Sequence, residues 1–211
     1  KKLQKTLSIK EGLLYNVANY LKKSKGKKIR PILTIISAGL FNNITDKTYR
    51  GAIMVELLHL ATLIHDDIVD DAQLRRQRLA INVIWKNKVS VLTGDYFLAK
   101  GLDIAILNKD YDILSVISSS VQKIVRGELL QIEKTKRLNL IEKDYFKIIQ
   151  LKTASLFESA FYIGAISADL NSKSAELLKN LGLKVGVLFQ IRDDILDYQN
   201  TSIFSGKSSG N

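Results

Sequence analysis

Two aspartate clusters with the same spacing are the residues of this sequence best suited to chemistry. Their members are Asp66, Asp67 and Asp70 in the stretch LIHDDIVDD, and Asp193, Asp194 and Asp197 in the stretch FQIRDDILDY. With 14 aspartates among 211 residues, one DDxxD spacing would arise by chance only about 0.06 times. Like charges one helical turn apart repel, and negative charge is unfavourable near a helix C-terminus. Because both clusters oppose local folding preferences, they indicate a functional site.

The chemistry of these clusters follows from their donor atoms. Carboxylate oxygens without nearby Cys or several His are hard ligands, which favour Mg²⁺. Protein-bound Mg²⁺ keeps several waters and is commonly shared between carboxylates and substrate phosphates. Each cluster therefore predicts a carboxylate–Mg²⁺–phosphate bridge, and the alternative is a solvated acidic helix face.

Basic residues lie where such a phosphate would need them. Lys27 and Arg30 occur in SKGKKIRP, at a predicted junction between a loop and a helix N-terminus, which suits anion binding. Arg75 and Arg76 directly follow the first cluster, and guanidinium groups bind phosphate oxygens in pairs. Taken singly, each is more typical of an ordinary charged surface, so the prediction depends on their placement beside the carboxylates.

Three further polar residues fall on apolar helical patterns. Lys152 and Thr153 interrupt the apolar stretch IIQLKTASLF. His59 precedes Asp66 by seven residues, nearly two helical turns, and so shares its helix face. A lone His on such a face serves packing about as often as it donates to a diphosphate.

Composition limits the possible classes of protein. The absence of Cys excludes disulfides, thiolate catalysis and iron–sulfur clusters, and two His are too few for a His-rich metal site. A net charge of +11 fits a basic surface, a nucleic-acid partner or an anionic small substrate. No apolar run is long enough to span a membrane and no signal peptide is visible, so we expect a cytoplasmic protein.

The elements that must position these residues are predicted to be helices. The apolar spacing has a period near 3.6, and no segment alternates well enough to be a strand. We expect one all-α domain over residues 1–211, packed as a helical bundle. The predicted helices cover residues 5–22, 30–41, 46–71, 82–107, 111–134, 142–168 and 173–199.

From about residue 24 to 211 the chain resembles the trans-isoprenyl diphosphate synthases, especially bacterial medium- and long-chain polyprenyl diphosphate synthases. The stretches that carry the resemblance are, in order, GKKIRP, ELLHLATLIHDDIVDDAQLRR, VLTGDYFLAK, GELLQIE, LKTASLFE, FQIRDDILDY and SGKSSGN. The resemblance implies the isoprenoid synthase fold, an all-α bundle around a deep central cavity, usually in a homodimer. It also implies the head-to-tail condensation of isopentenyl diphosphate with an allylic diphosphate such as farnesyl diphosphate.

The resemblance assigns roles to individual residues. Three Mg²⁺ on the allylic diphosphate would be held by Asp66, Asp67, Asp70, Asp193, Asp194 and Asp197. The same diphosphate would be supported by Arg75, Lys152, Gln190 and Lys207, with Thr153 near the reacting carbon. Isopentenyl diphosphate would be bound by Lys27, Arg30, His59 and Arg76.

Product length is expected from the residues four and five positions before the first cluster. In the family, aromatic residues there give short products, whereas here Thr62 and Ala61 are small. The resemblance therefore implies products longer than twenty carbons. The aromatic residues Phe157 and Phe161 are candidates for the cavity floor, although ordinary core packing would also explain them.

The sequence also departs from the family pattern. Where the family usually has Arg-Arg-Gly followed by Thr or Ser, this chain has the stretch RRQRLA at 75–80. The family continues beyond SGKSSGN, so we expect the chain to lack C-terminal helices that cover the cavity.

Three alternatives stay open. Terpene cyclases share the first cluster but usually carry a different second metal motif and lack an isopentenyl diphosphate site. Non-catalytic subunits of two-component synthases typically lose the aspartates. A basic nucleic-acid module would need Lys and Arg on one face without acidic clusters, so we expect no specific nucleic-acid partner.

Overall fold

The structure is a computed structural model, and it describes Thr6 and residues 9–23, 26–41, 43–75 and 78–204, the last five as backbone only. Helices dominate these residues, and one two-residue antiparallel strand pair joins two of them. The elements are α1 (Gly12–Lys23), α2 (Ile29–Gly39), α3 (Asp46–Val69), β1 (Leu74–Arg75), β2 (Arg78–Leu79), α4 (Ile81–Leu107), α5 (Tyr111–Arg137), α6 (Glu142–Ile149), a π-helical turn (Gln150–Ala154), α7 (Ser155–Ser167) and α8 (Ser172–Phe204).

Helix α3 is the central element of the bundle. It begins at a capping box in which the Thr45 hydroxyl accepts from the Thr48 backbone N–H, and Asp46 lies in its positive first turn. One face of α3 packs against α4 and α1 through Leu57, Ala61 and Ile64. Another face packs against α5 and α7. Burial on both sides fixes α3 and leaves a third face for polar residues near its C-terminus.

Most predicted helices are confirmed, with changes at their boundaries. Residues 9–11 are not helical, and α1 begins at Gly12, whose φ of +82° suits glycine. The predicted helix 142–168 is divided by the π-helical turn. The expectation of no strand is wrong at the short pair β1–β2, and the other described residues contain no strand.

The last predicted helix is longer than expected. It runs to Phe204 rather than to residue 199, so the second aspartate cluster lies within α8 and not in its final turn. No helix in the described part of the chain combines the length and the apolar character that a bilayer crossing requires.

Candidate active site

One open cavity between α3, α5, α7 and α8 is lined by residues of both aspartate clusters, the first on the wall formed by α3 and the second on the wall formed by α8. Eleven of the predicted site residues line it: Arg30, His59, Thr62, Asp66, Asp70, Arg75, Lys152, Thr153, Gln190, Asp193 and Asp197. Four carboxylates therefore face four basic side chains, counting His59. Residues more than 120 positions apart in sequence meet here because α3 and α8 both pack on α7.

The middle aspartate of each cluster points elsewhere. Asp67 is 4% exposed and pairs with Arg75, whose Nε donates to its Oδ1 at 2.7 Å. Asp194 accepts from the Tyr145 hydroxyl at 2.6 Å and from Gln190 Nε2 at 2.7 Å. Helix geometry explains this, because residues i and i+4 share a face whereas residue i+1 is turned about 100° away.

The cavity carries the electrostatic signature of a cation site. The pKa of Asp66 is raised to about 6, chiefly by burial and also by the nearby charges of Glu128 and Asp70, while Lys152 and Arg75 oppose the rise. A bound cation would reverse this shift by stabilising the ionised carboxylate. Within the described ranges no three His, Asp or Glu side chains already converge as metal ligands. The oxygen-only donors on the two walls suit a hard cation that also carries water or phosphate.

The π-helical turn places Lys152 and Thr153 in the cavity. Lys152 Nζ lies 2.5 Å from Glu128 Oε2 and donates to Gln131 at 3.2 Å. Thr153 donates to Gln190 Oε1 at 2.7 Å. Gly127 permits the close approach of α5, because a Cβ there would lie 2.9 Å from the Lys152 backbone nitrogen. Single π turns are frequent at functional sites.

The turn at residues 26–30 contributes one basic side chain, that of Arg30, to the cavity. Arg30 Nη1 donates to His59 Nε2 at 3.0 Å, and its guanidinium lies 4.7 Å from the centre of the Phe157 ring. His59 thus supports Arg30 directly, beyond any contact of its own with an anion. Lys27 is exposed at the start of α2, where free backbone N–H groups favour anions.

Comparison with known proteins identifies the family. The polyprenyl synthetase family model matches residues 11–211. The chain belongs to this family. Residues 11–211 include both aspartate clusters, the π-helical turn and the basic turn that precedes α2.

Relatives of this polyprenyl synthetase family member carry several chain-length names. It is 33% identical over 208 residues to heptaprenyl diphosphate synthase component 2 of Geobacillus stearothermophilus, covering 99% of this chain and 65% of that protein. It is 31% identical to octaprenyl diphosphate synthase of Escherichia coli K12, covering 94% of this chain and 61% of the other. A short chain isoprenyl diphosphate synthase of Methanocaldococcus jannaschii is 33% identical, with 98% and 64% covered.

Solved structures agree with the fold. A polyprenyl synthase from Caulobacter crescentus, complexed with calcium and isoprenyl diphosphate, superposes with a TM-score of 0.89 at 36% identity. The match covers 93% of this chain and 60% of that one. The chain thus spans somewhat less than two thirds of the length of the relatives named above.

The two residues predicted to set product length have different surroundings in this family member. Thr62 lines the cavity and donates to the His59 carbonyl at 3.0 Å. Ala61 is 2% exposed and belongs to the core between α1, α3 and α4. Phe157 and Phe161 are both buried, and Phe161 packs in the core between α7 and α8.

Some site residues were missed by the sequence analysis and others lie outside the described residues. Glu56, Glu128, Gln131 and Tyr145 contact predicted site residues or their neighbours. Spacing offered a signal for one pair, since Glu128 and Gln131 lie three apart in GELLQIE and share a helix face. The predicted ligands Arg76 and Lys207 lie outside the described residues.

Proposed function

We propose that the protein condenses isopentenyl diphosphate head-to-tail with an allylic diphosphate such as farnesyl diphosphate, giving a long-chain all-trans polyprenyl diphosphate. The observation that carries the proposal is the single cavity in which two aspartate clusters face basic side chains from four elements. A cyclase would need only one diphosphate site, whereas here Arg30 and His59 form a second basic group near α2.

Divalent cations are part of this proposal, with Mg²⁺ in three sites implied by the family resemblance. These ions would be held by Asp66 and Asp70 on one wall and by Asp193 and Asp197 on the other. Asp67 and Asp194 would hold neighbouring side chains in place through their contacts with Arg75 and Tyr145. When bound, such ions neutralise the charge that develops on a departing diphosphate.

Basic side chains of the protein would bind the two diphosphates during ionisation and condensation. Arg75 and Lys152 line the cavity beside the carboxylates, where they can bind the allylic diphosphate as its C–O bond breaks and the electron pair leaves with it. Lys27, Arg30 and His59 would hold isopentenyl diphosphate so that its double bond attacks the allylic carbocation. A proton is then lost to the released diphosphate, so no aspartate has to act as a general base.

Association into a homodimer also belongs to the proposal. Large apolar side chains are exposed on α4 and α5, among them Leu92, Ile106, Leu107, Val125 and Leu129. Exposed apolar side chains on two consecutive helices favour a protein partner. Sedimentation should give twice the chain mass, and a monomer at micromolar concentration would contradict this. A cytoplasmic location and the absence of a specific nucleic-acid partner remain expectations from the sequence.

The deciding experiment uses the protein in its natural length. Labelled isopentenyl diphosphate, farnesyl diphosphate and Mg²⁺ are supplied, and the products are resolved by chain length. We expect products longer than twenty carbons that disappear in Asp66→Ala and Asp193→Ala but persist in Asp103→Ala, whose side chain is half exposed beside Lys100. Shorter products would contradict the inference from Ala61 and Thr62. Released diphosphate with a hydrocarbon would indicate a cyclase instead.

A further inference from the structure

Glu56 is a buried carboxylate that the proposed chemistry does not use. It lies in α3 and is only 3% exposed. Its Oε1 accepts from Lys28 Nζ at 2.8 Å. Burying an ionised carboxylate in the protein interior is unfavourable unless a hydrogen-bonded partner of opposite charge compensates it. Lys28, on the turn before α2, is that partner.

The same helix holds this turn at a second point. His59 follows Glu56 by three residues, so the two side chains share one face of α3. His59 accepts from Arg30 while Glu56 accepts from Lys28. The turn at residues 26–30 is therefore bound to α3 on both sides of Ile29, through Lys28 before it and Arg30 after it.

The backbone of the turn has an unfavourable conformation that these two contacts help to hold. Lys28 has φ +51° and ψ +36°, the left-handed region that residues with a Cβ seldom adopt. It occupies the N-cap position of α2, and no side chain caps this helix end. Its conformation decides where the neighbouring Lys27 and Arg30 point. An unfavourable conformation of this kind persists only where the surroundings hold it.

We propose that Glu56 is a positioning residue for the second diphosphate: through Lys28 it holds the turn at residues 26–30 in the geometry that binds isopentenyl diphosphate. This inference rests on the proposed function, which assigns that diphosphate to Lys27 and Arg30. Glu56 touches neither substrate. Its loss lets the turn relax without disturbing the aspartate walls, since Glu56 does not line the cavity.

The test measures binding of isopentenyl diphosphate alone, by calorimetry, to the protein in its natural length. With no allylic partner present, nothing reacts. We expect Glu56→Gln to weaken this binding by about tenfold or more, because displacement of binding groups by about 1 Å has effects of that size. In steady-state assays the KM for isopentenyl diphosphate should rise in parallel, while the KM for farnesyl diphosphate and kcat stay within about twofold.

Lys28→Met provides a second variant, in which the altered side chain is partly exposed and folding is less at risk. It should match Glu56→Gln, and the double variant should bind no more weakly than either single variant. Lys28→Arg, which keeps the charge, should restore most of the affinity. If Glu56→Gln and Lys28→Met both bind like the unaltered protein, the proposal is overturned.

Asp110→Asn is the matched control for general destabilisation. Asp110 is also a buried carboxylate, 4% exposed, and it pairs with Arg50 Nε at 2.6 Å away from the cavity. We expect this variant to lower the melting temperature without changing the affinity for isopentenyl diphosphate. An equal loss of affinity would mean that Glu56 acts only through stability. If the unaltered protein binds no isopentenyl diphosphate at all, the proposed function fails instead.

Discussion

The two aspartate clusters have the same spacing but occupy different surroundings. The first ends α3, where Asp67 is buried against Arg75 and burial raises the pKa of Asp66 to about 6. The second lies along α8, where Asp193 and Asp197 are exposed. Neighbouring side chains bind both middle residues. Asp67 accepts from the charged guanidinium of Arg75, whereas Asp194 accepts from the neutral side chains of Tyr145 and Gln190.

This difference shows that the spacing of the aspartates determines which side chains face the cavity, while their surroundings determine how well each carboxylate is solvated. The i, i+4 pairs face the cavity in both helices because helix geometry is the same. At the first wall Asp66 is partly desolvated while Asp70 is exposed, so Asp66 gains most from a cation that replaces the lost water. The second wall is open to solvent at Asp193 and Asp197, so its carboxylates can take part in cation binding from the solvent side.

The largest expected effect comes from removing one cavity-facing carboxylate from either wall. Asp66→Asn and Asp193→Asn should each lower kcat/KM by about 10²–10³-fold, as loss of a preorganised electrostatic group does. The Mg²⁺ concentration for half-maximal rate should rise more in Asp66→Asn, since the desolvated wall depends more on the cation. Steady-state rates over a range of Mg²⁺ concentration measure both quantities.

The control for this comparison is Asp103→Asn, an exposed aspartate paired with Lys100 on α4. It should leave rate and Mg²⁺ dependence unchanged. Equal Mg²⁺ dependence in Asp66→Asn and Asp193→Asn would remove the proposed distinction between the two walls.

A smaller effect is expected for the middle residues, and on stability. Asp67→Asn leaves Arg75 without its anionic partner in a largely buried site, which should lower the free energy of unfolding by about 1–3 kcal/mol. Asp194→Asn keeps an oxygen that can accept from the Tyr145 hydroxyl. Its cost should stay below about 1 kcal/mol, the usual net value of one neutral hydrogen bond. Urea unfolding of both variants gives the two values, and a reversed order would contradict the comparison.

Much of this site could be predicted from the sequence because it depends on helix periodicity. The stripe that contains His59, Asp66 and Asp70 follows from spacing alone, and the cap at Thr45 follows from local hydrogen bonding. Both are properties of neighbouring residues, which a single sequence records directly.

The remainder depends on tertiary packing, which periodicity does not contain. The π-helical turn at Lys152 arises where α5 approaches closely over Gly127. The partners of the middle aspartates come from other elements, Arg75 from β1 and Tyr145 from α6. The left-handed conformation of Lys28 was not predicted either, because the residue that holds its side chain, Glu56, is 28 positions away in sequence.

The smallest expected effect is the pH dependence of stability and cation affinity that Asp66 gives to the first wall. In the absence of a cation, the raised pKa of Asp66 means that between about pH 4 and pH 6 the native state holds a proton that the unfolded state has lost. The stability gained from this proton is present at low pH and disappears as pH rises through about 6. A divalent cation must displace the same proton, so apparent cation affinity should fall as pH drops below about 6.

Glu128→Gln sharpens this pH prediction. It removes a negative neighbour of Asp66 and frees Lys152 to stabilise the carboxylate, so the pKa of Asp66 should fall. At pH 7.5, where Asp66 is already ionised, Mg²⁺ should bind more weakly than to the unaltered protein, because the cavity loses a negative charge. At pH 5.5 the difference should be smaller, because the variant loses the Asp66 proton more easily and this offsets part of the weakening. Calorimetric Mg²⁺ titrations at both pH values measure this. Glu133→Gln, an exposed charge on the same helix, is the matched control. An equal change in the control would assign the effect to net charge and not to the desolvated wall.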